Sequence, residues 1–192
     1  YMRLSSLNGK TGFSMAGIAS GDHSGYSVSG VGDLDKDGYD DVLVGAPHND
    51  HNGNKAGSAY LFFGKKSGYK SSVKLEDLDG NNGFFIYGQD AEDRAGFSVS
   101  TAGDVNNDGY DELIIGAPRG VHAYVYWGAA THSKHRQLND LVGIDIGFFI
   151  GDDLGDRFGF SVDTAGDING DGYADMIVGS NRADANNDGT GI

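Results

Sequence analysis

No cysteine occurs in the 192 residues, and proline occurs only twice. The first absence rules out disulfides and thiolate metal sites, although it does not fix the compartment, because exported proteins also do without cysteine. No apolar run reaches the roughly eighteen residues a membrane-spanning helix needs, so direct membrane insertion is not expected. Long helical periodicity is missing as well. The best stretch, KSSVKLEDLDG from Lys70, offers only Val73, Leu75 and Leu78, too few to sustain a helix. Positive charge is scarce, with 14 basic residues against 28 acidic ones and a formal net charge of −14. Such a balance repels nucleic-acid phosphates and anionic lipid, and it favours cations or basic partners. No basic, apolar leader opens the chain, so any export signal is expected to have been removed. There is no G-x-S-x-G element, P-loop or cysteine nucleophile, and neither a D-x-S-x-S element nor an RGD tripeptide.

What is abundant is glycine, at 33 residues, mixed with Tyr, Phe, Val and Ile. Without a collagen period, this mixture predicts many short strands joined by tight turns. The acids are clustered rather than spread. GDLDKDGYDDVLVGAP from Gly32 returns as GDVNNDGYDELIIGAP from Gly103 and as GDINGDGYADMIVGS from Gly166. The first acids of these clusters, Asp33, Asp104 and Asp167, are spaced by 71 and 63 residues. The likeness runs upstream, where DRAGFSVSTAGD ending at Asp104 matches DRFGFSVDTAGD ending at Asp167. It also runs downstream, where AGSAYLFFG matches GVHAYVYWG. The chain is therefore a repeat protein with units at about 11–63, 83–128 and 147–192, within a single domain over 1–192.

Each unit reads as four strands. GFSVSTAG alternates, with Phe97 and Val99 on one face and Ser98 and Ser100 on the other. ELIIGAP is a continuous apolar run suited to a strand covered on both faces. HAYVYWG alternates again, setting Tyr124 and Tyr126 opposite Val125 and Trp127, and FFIYG supplies the fourth strand. The predicted fold class is all-β, with β-propeller-type four-stranded antiparallel blades.

The loop DLDKDGYDD places acids at positions 1, 3, 5 and 9 and glycine at position 6. Oxygen ligands at alternate positions around a turn can wrap one hard cation, with a backbone carbonyl at position 7 completing the set. The candidate ligands are Asp33, Asp35, Asp37, the Tyr39 carbonyl and Asp41 in the first loop. In the second they are Asp104, Asn106, Asp108, the Tyr110 carbonyl and Glu112, and in the third Asp167, Asn169, Asp171, the Tyr173 carbonyl and Asp175. With oxygen-only donors the expected ion is Ca²⁺, about three per chain, ahead of Mg²⁺. The competing reading is an Asx-rich turn that binds nothing. An EF-hand is excluded, because its position 12 would be Val44, Ile115 and Val178, inside the apolar runs.

The motifs GFSVS and GDVNNDGYDELIIGAP resemble the FG-GAP repeat of integrin α-subunit β-propellers and their bacterial relatives. The FG element stands at Gly25-Tyr26, Gly96-Phe97 and Gly159-Phe160. The GAP element stands at Gly45-Ala46-Pro47 and Gly116-Ala117-Pro118, and it decays to Gly179-Ser180-Asn181. The resemblance implies a calcium-binding, non-catalytic module for adhesion or ligand binding, extracellular, on a cell surface or periplasmic. Its partner would be a protein or glycan. Family propellers usually carry seven blades, so this chain is expected to be part of a longer propeller or to complete its ring as a homo-oligomer. The alternatives left open are an accessory or catalytic propeller of a polysaccharide-degrading lyase or hydrolase, and an architectural spacer. Three smaller expectations complete the reading. The DANNDGTGI stretch from Asp184 is a turn, and the pairs His48/His51 and His132/His135 are expected on surface loops rather than at a metal, since no third ligand is evident. Asp93-Arg94 and Asp156-Arg157 are expected to form ion pairs that steady a turn, with ligand contact as the alternative.

Overall fold

Each acidic loop sits at the bend between two strands, which is what a turn-rich stretch followed by an apolar run requires. The computed structural model describes residues 3–129, 135–138, 146–153 and 155–183. The chain passes through β1 (Ser14–Ala16), then β2 (Ser27–Gly30), β3 (Val42–Ala46) and β4 (Ser58–Phe62). A connection carrying β5 (Ser72–Lys74) and a 3-10 turn over Leu75–Asp77 leads to β6 (Gly83–Tyr87). The second unit is β7 (Ser98–Gly103), β8 (Glu112–Ala117), β9 (His122–Tyr126), β10 (His135–Gln137) and β11 (Ile146–Ile150). Strands β12 (Phe158–Gly166) and β13 (Asp175–Ser180) open the third. No α-helix occurs among the described residues. The stretch from Asp184, and His132, lie outside them.

The second sheet has the order β11-β9-β8-β7, antiparallel throughout, which is the expected four-stranded blade. The first has the order β10-β6-β4-β3-β2, so it gains a fifth strand. That strand, β10, pairs parallel with the outer strand β6, just as β5 pairs parallel with β1. Each unit's third-to-fourth connection thus caps the outer edge of the unit before it, leaving no free outer ladder on β6. The KSSVKLEDLDG segment, which carries β5 and the 3-10 turn, does this rather than forming a helix.

The core lies between blades, because alternation gives every blade two apolar faces. Leu43, Leu61, Phe84 and Ile86 of the first blade meet Leu113, Ile115, Tyr124 and Tyr126 of the second. Ile114 and Ala123, on the second blade's other face, meet Val162 of the third, with Met176 and Val178 packed alongside. The first blade's remaining face buries Val44, Tyr60, Phe62 and Phe85 under Phe13, Met15 and the β5 connection. Inner strands follow one another, β2 against β7 and β7 against β12. The sheets form an open arc, the incomplete propeller expected. Its two outer flanks bare apolar side chains: Val28 in β2 is 65% exposed on the first blade and Ile177 in β13 is 59% exposed on the third.

The FG and GAP elements meet each other across the blade interface. A Cβ on Gly45 would overlap the Gly96 carbonyl oxygen of the next blade, and one on Gly116 would overlap that of Gly159. The same carbonyls accept hydrogen bonds from Ser27 Oγ at 2.9 Å and Ser98 Oγ at 3.0 Å. Gly96 and Gly159, with φ of 81° and 82°, hold a conformation that side chains disfavour. Phe97 does not share a strand face with Val99, since β7 begins at Ser98. Phe97 sits in the preceding turn, its N–H bonded to the Arg94 carbonyl at 3.1 Å.

The expected Asp93–Arg94 ion pair is also absent. Asp93 is buried, and its Oδ2 has no hydrogen-bond partner. Burial, with the like charge of Asp90 added, raises its pKa from 3.8 to about 6. His122 Nδ1 is 4.0 Å away, but burial pushes that imidazole down, towards its neutral form. A carboxyl whose folded-state pKa is raised contributes stability that is fully present below the unfolded value and is lost as pH rises through about 6. Asp93→Asn is therefore expected to gain stability relative to the parent between pH 4 and pH 7.5, by at most about 3 kcal/mol. Urea denaturation of both proteins at the two pH values checks this, since taking the difference cancels titrations they share. An equal difference at both ends would refute it.

Candidate metal centre

In the first loop one carboxylate oxygen from each of Asp33, Asp35 and Asp37 falls within 4.8 Å of the others. Local hydrogen bonds set this convergence. Asp33 accepts from the N–H groups of Asp37 at 3.0 Å and Gly38 at 2.8 Å, and Asp35 accepts from Asp37 N–H at 3.1 Å. Asp37 in turn accepts from Tyr39 N–H at 2.9 Å. These are nested Asx turns, and Gly38, at φ 94°, lets the chain reverse.

The pattern recurs residue for residue. Asp104 accepts from Asp108 and Gly109, Asn106 from Asp108, and Asp108 from Tyr110. Asp167 accepts from Gly170, Asp171 and Gly172, Asn169 from Asp171, and Asp171 from Tyr173. In the first loop these bonds accompany the convergence of the three side-chain oxygens, each of which keeps a second lone pair. In the third loop Asp167 Oδ1 accepts from both Gly170 and Asp171, so its free acceptor capacity lies on Oδ2. The donor set is therefore a fit for a hard cation and a poor one for zinc or copper.

The acids at position 9 do something the spacing did not reveal. Asp41 is not one of the converging group. It is 1% exposed, and its two oxygens accept from Leu34 N–H at 2.9 Å and Gly64 N–H at 2.8 Å. Glu112, wholly buried, accepts likewise from Val105 at 2.8 Å and Gly128 at 3.3 Å, and Asp175 accepts from Ile168 at 2.9 Å. In the first two loops this carboxylate ties the loop's second residue to the glycine just past the neighbouring strand. The recurrent glycine after LFF and VYW was the available signal. A Cβ on Gly64 or Gly128 would overlap the backbone carbonyl of Asp40 or Asp111.

Electrostatics differ among the loops. Burial pushes the Asp35 carboxyl up, and the charges of Asp37 and Asp33 add to it. Burial raises Asp41 to about 6 and Glu112 to about 7, against the pull of the backbone donors. Asp167 moves the other way, held down first by the Gly172 N–H, because its loop is open to water. The first loop carries four candidate ligand carboxylates, against three in each of the others.

The loops also touch. Lys36 Nζ stands 5.4 Å from the Tyr110 ring centre of the next loop, and Ala174 N–H donates to the Asp104 carbonyl at 3.1 Å. Position 12 lies within a strand each time, Val44 in β3, Ile115 in β8 and Val178 in β13, as a β rather than a helical framework demands.

Comparison with known proteins agrees with this architecture. The repeat description named FG-GAP matches residues 24–62, 95–129 and 158–192. Integrin alpha-6 of Gallus gallus is 30% identical over 143 residues, covering 73% of this chain and 12% of the integrin. Integrin alpha-IIb of Mus musculus is 32% identical over 150 residues, covering 73% and 13%. Integrin alpha pat-2 of Caenorhabditis elegans is 32% identical over 151 residues, covering 73% and 12%. The chain therefore spans about one-eighth of the length of these relatives.

Proposed function

This chain belongs to the FG-GAP repeat family, and from that premise we propose that it is a calcium-binding, non-catalytic β-propeller module for adhesion or ligand binding. The observation that carries the reading is the convergence of the Asp33, Asp35 and Asp37 oxygens in a loop whose hydrogen bonding recurs twice more. Three ions are held, one per loop, by the residues at positions 1, 3 and 5, the carbonyls of Tyr39, Tyr110 and Tyr173, and the lone pairs left on Asp41, Glu112 and Asp175. A bound ion supplies positive charge where like charges crowd, and it locks the bend that leads into the buried strand. Shallow, partly exposed loops suit the millimolar calcium outside cells, which favours an extracellular or cell-surface location. The bared flanks at Val28 and Ile177 are covered by further blades, from a longer chain or from a second copy, within one propeller domain.

Titration calorimetry at neutral pH is expected to show about three Ca²⁺ per chain, and one fewer in D33A/D37A. Absence of heat would overturn the assignment. A glycan array and an adhesion assay, run beside an activity screen on acidic polysaccharides, separate the functional readings. Turnover of any polysaccharide would replace the binding module with a lyase or hydrolase. Silence in every assay would leave an architectural spacer.

A further inference from the structure

In each blade the FG turn and the GAP turn lie at the end away from the acidic loop, because β2 runs from the first turn to that loop and β3 runs back to the second. The residue after the turn's aspartate is His23, Arg94 or Arg157, with φ of 58°, 61° and 56°. A left-handed backbone is uncommon for such residues, so the turn itself sets where these side chains start. The residue after the GAP element is His48, Arg119 or Arg182. Its N–H donates to the carbonyl of Asp22, Asp93 or Asp156, at 3.2, 3.3 and 3.1 Å. Two basic-type side chains therefore leave adjoining backbone in every blade, and all six positions are His or Arg. They hold four of the six arginines of a chain whose net charge is −14.

These side chains border a row of rings. Tyr26 and Phe97 have centroids 4.8 Å apart, and Phe97 and Phe160 5.0 Å apart. Between blades two and three a hollow of about 40 Å³ is lined by Arg94, Phe97, Pro118, Arg119, Arg157 and Phe160. Arg94 Nε is buried without a hydrogen-bond partner. Among the described residues no carboxylate lies within ion-pair distance of Arg94, Arg119, Arg157 or Arg182. Loss of solvent, and then the charges of Arg182, Arg119 and Arg94, push the Arg157 guanidinium down. Like charges gathered with no counter-ion among the described residues, on an otherwise acidic protein, call for an anion from outside.

We propose that this end of the arc is a docking site for carboxylate side chains of an acidic protein segment, gripped by Arg94, Arg119 and Arg157 over the Phe97–Phe160 floor. The planar guanidinium fork matches a carboxylate, and the hollow is small enough to suit one such group. A long sulfated polymer would also have to cross the exposed Asp90, Glu92, Asp152 and Asp153 beside the turns, whereas a folded partner presenting a few acids avoids them. The site rests on the reading of the chain as a binding module and is independent of the calcium loops at the opposite end.

The test is fluorescence anisotropy of labelled hexaglutamate in millimolar calcium and low salt, using the whole chain. R119Q/R157Q is expected to weaken binding about tenfold or more, since each charge-assisted bond lost is worth about that factor. K65Q/K70Q, in the lysine-rich β4–β5 connection, should bind as the parent does. Should R119Q/R157Q melt early, R119E alone, at an exposed position, should give the same loss. Unchanged affinity in the arginine variants, loss in the lysine variant, no binding by the parent, or tighter binding of a sulfated heparin hexasaccharide would each overturn the proposal. Calorimetry with calcium on the same variants keeps the two readings apart. Intact ion binding with no peptide binding sinks the docking site alone, while loss of ion binding in the parent sinks the metal assignment alone.

Discussion

Removal of calcium with a chelator is expected to lower the melting temperature by roughly 15–30 °C relative to millimolar Ca²⁺. A ligand at a hundred times its Kd stabilises the folded state by about 2.7 kcal/mol per site, or roughly 8 kcal/mol for three independent sites. In a chain of this size each kcal/mol moves the melting point by about 2–4 °C. The unfolded chain cannot reproduce a donor set that depends on nested turns such as Asp33 with Asp37 and Gly38, so binding favours the folded state alone. Substituting Asp33 and Asp37 together should remove about a third of the calcium-dependent shift. The first loop should lose the most, because crowded charge on Asp35 gains most from the cation. Magnesium should substitute poorly, since it gives up its waters reluctantly. Coincident melting curves in chelator and in calcium would remove the metal from the account and leave three plain Asx turns.

Gly45→Ala is expected to destabilise the protein by about 3 kcal/mol or more, at the upper end for an overpacked site. The added methyl would meet the Gly96 carbonyl, which is backbone anchored in the next blade, so it cannot swing away as a side chain would. Gly116→Ala should behave alike, against Gly159. Gly179 is the internal control. It stands at the matching position in the third unit, but an added Cβ there overlaps only the Ser161 hydroxyl, which can change rotamer. Gly179→Ala should therefore cost under about 1 kcal/mol, the value of one weakened hydrogen bond. Chemical denaturation of the three variants in calcium decides the matter. Equal losses at Gly45 and Gly179 would mean that the GAP glycine serves its own strand and not the joint between blades.

The sequence by itself determined the repeat, the strand order within a unit and the acidic loops. Each of these is written in neighbouring residues: two-residue alternation in HAYVYWG, alternate oxygens from Asp33 to Asp37, and the position 12 valines and isoleucine that exclude a helical framework. Local spacing is enough where the physics is local, in a turn or along one strand. Only the tertiary structure decided what residues distant in the chain do for one another. It showed that, within a blade, Asp41 and Glu112 bind the loop to Gly64 or Gly128, just past the ends of β4 and β9, and that, between blades, Arg94 lines one hollow with Arg119 and Arg157. It also moved Phe97 out of its strand into a row with Tyr26 and Phe160. These partners are separated by between 16 and 71 residues in the chain, and no periodicity within a unit encodes how one blade leans on the next. That packing follows from burying both faces of each sheet at once, a condition satisfied only when the blades come together.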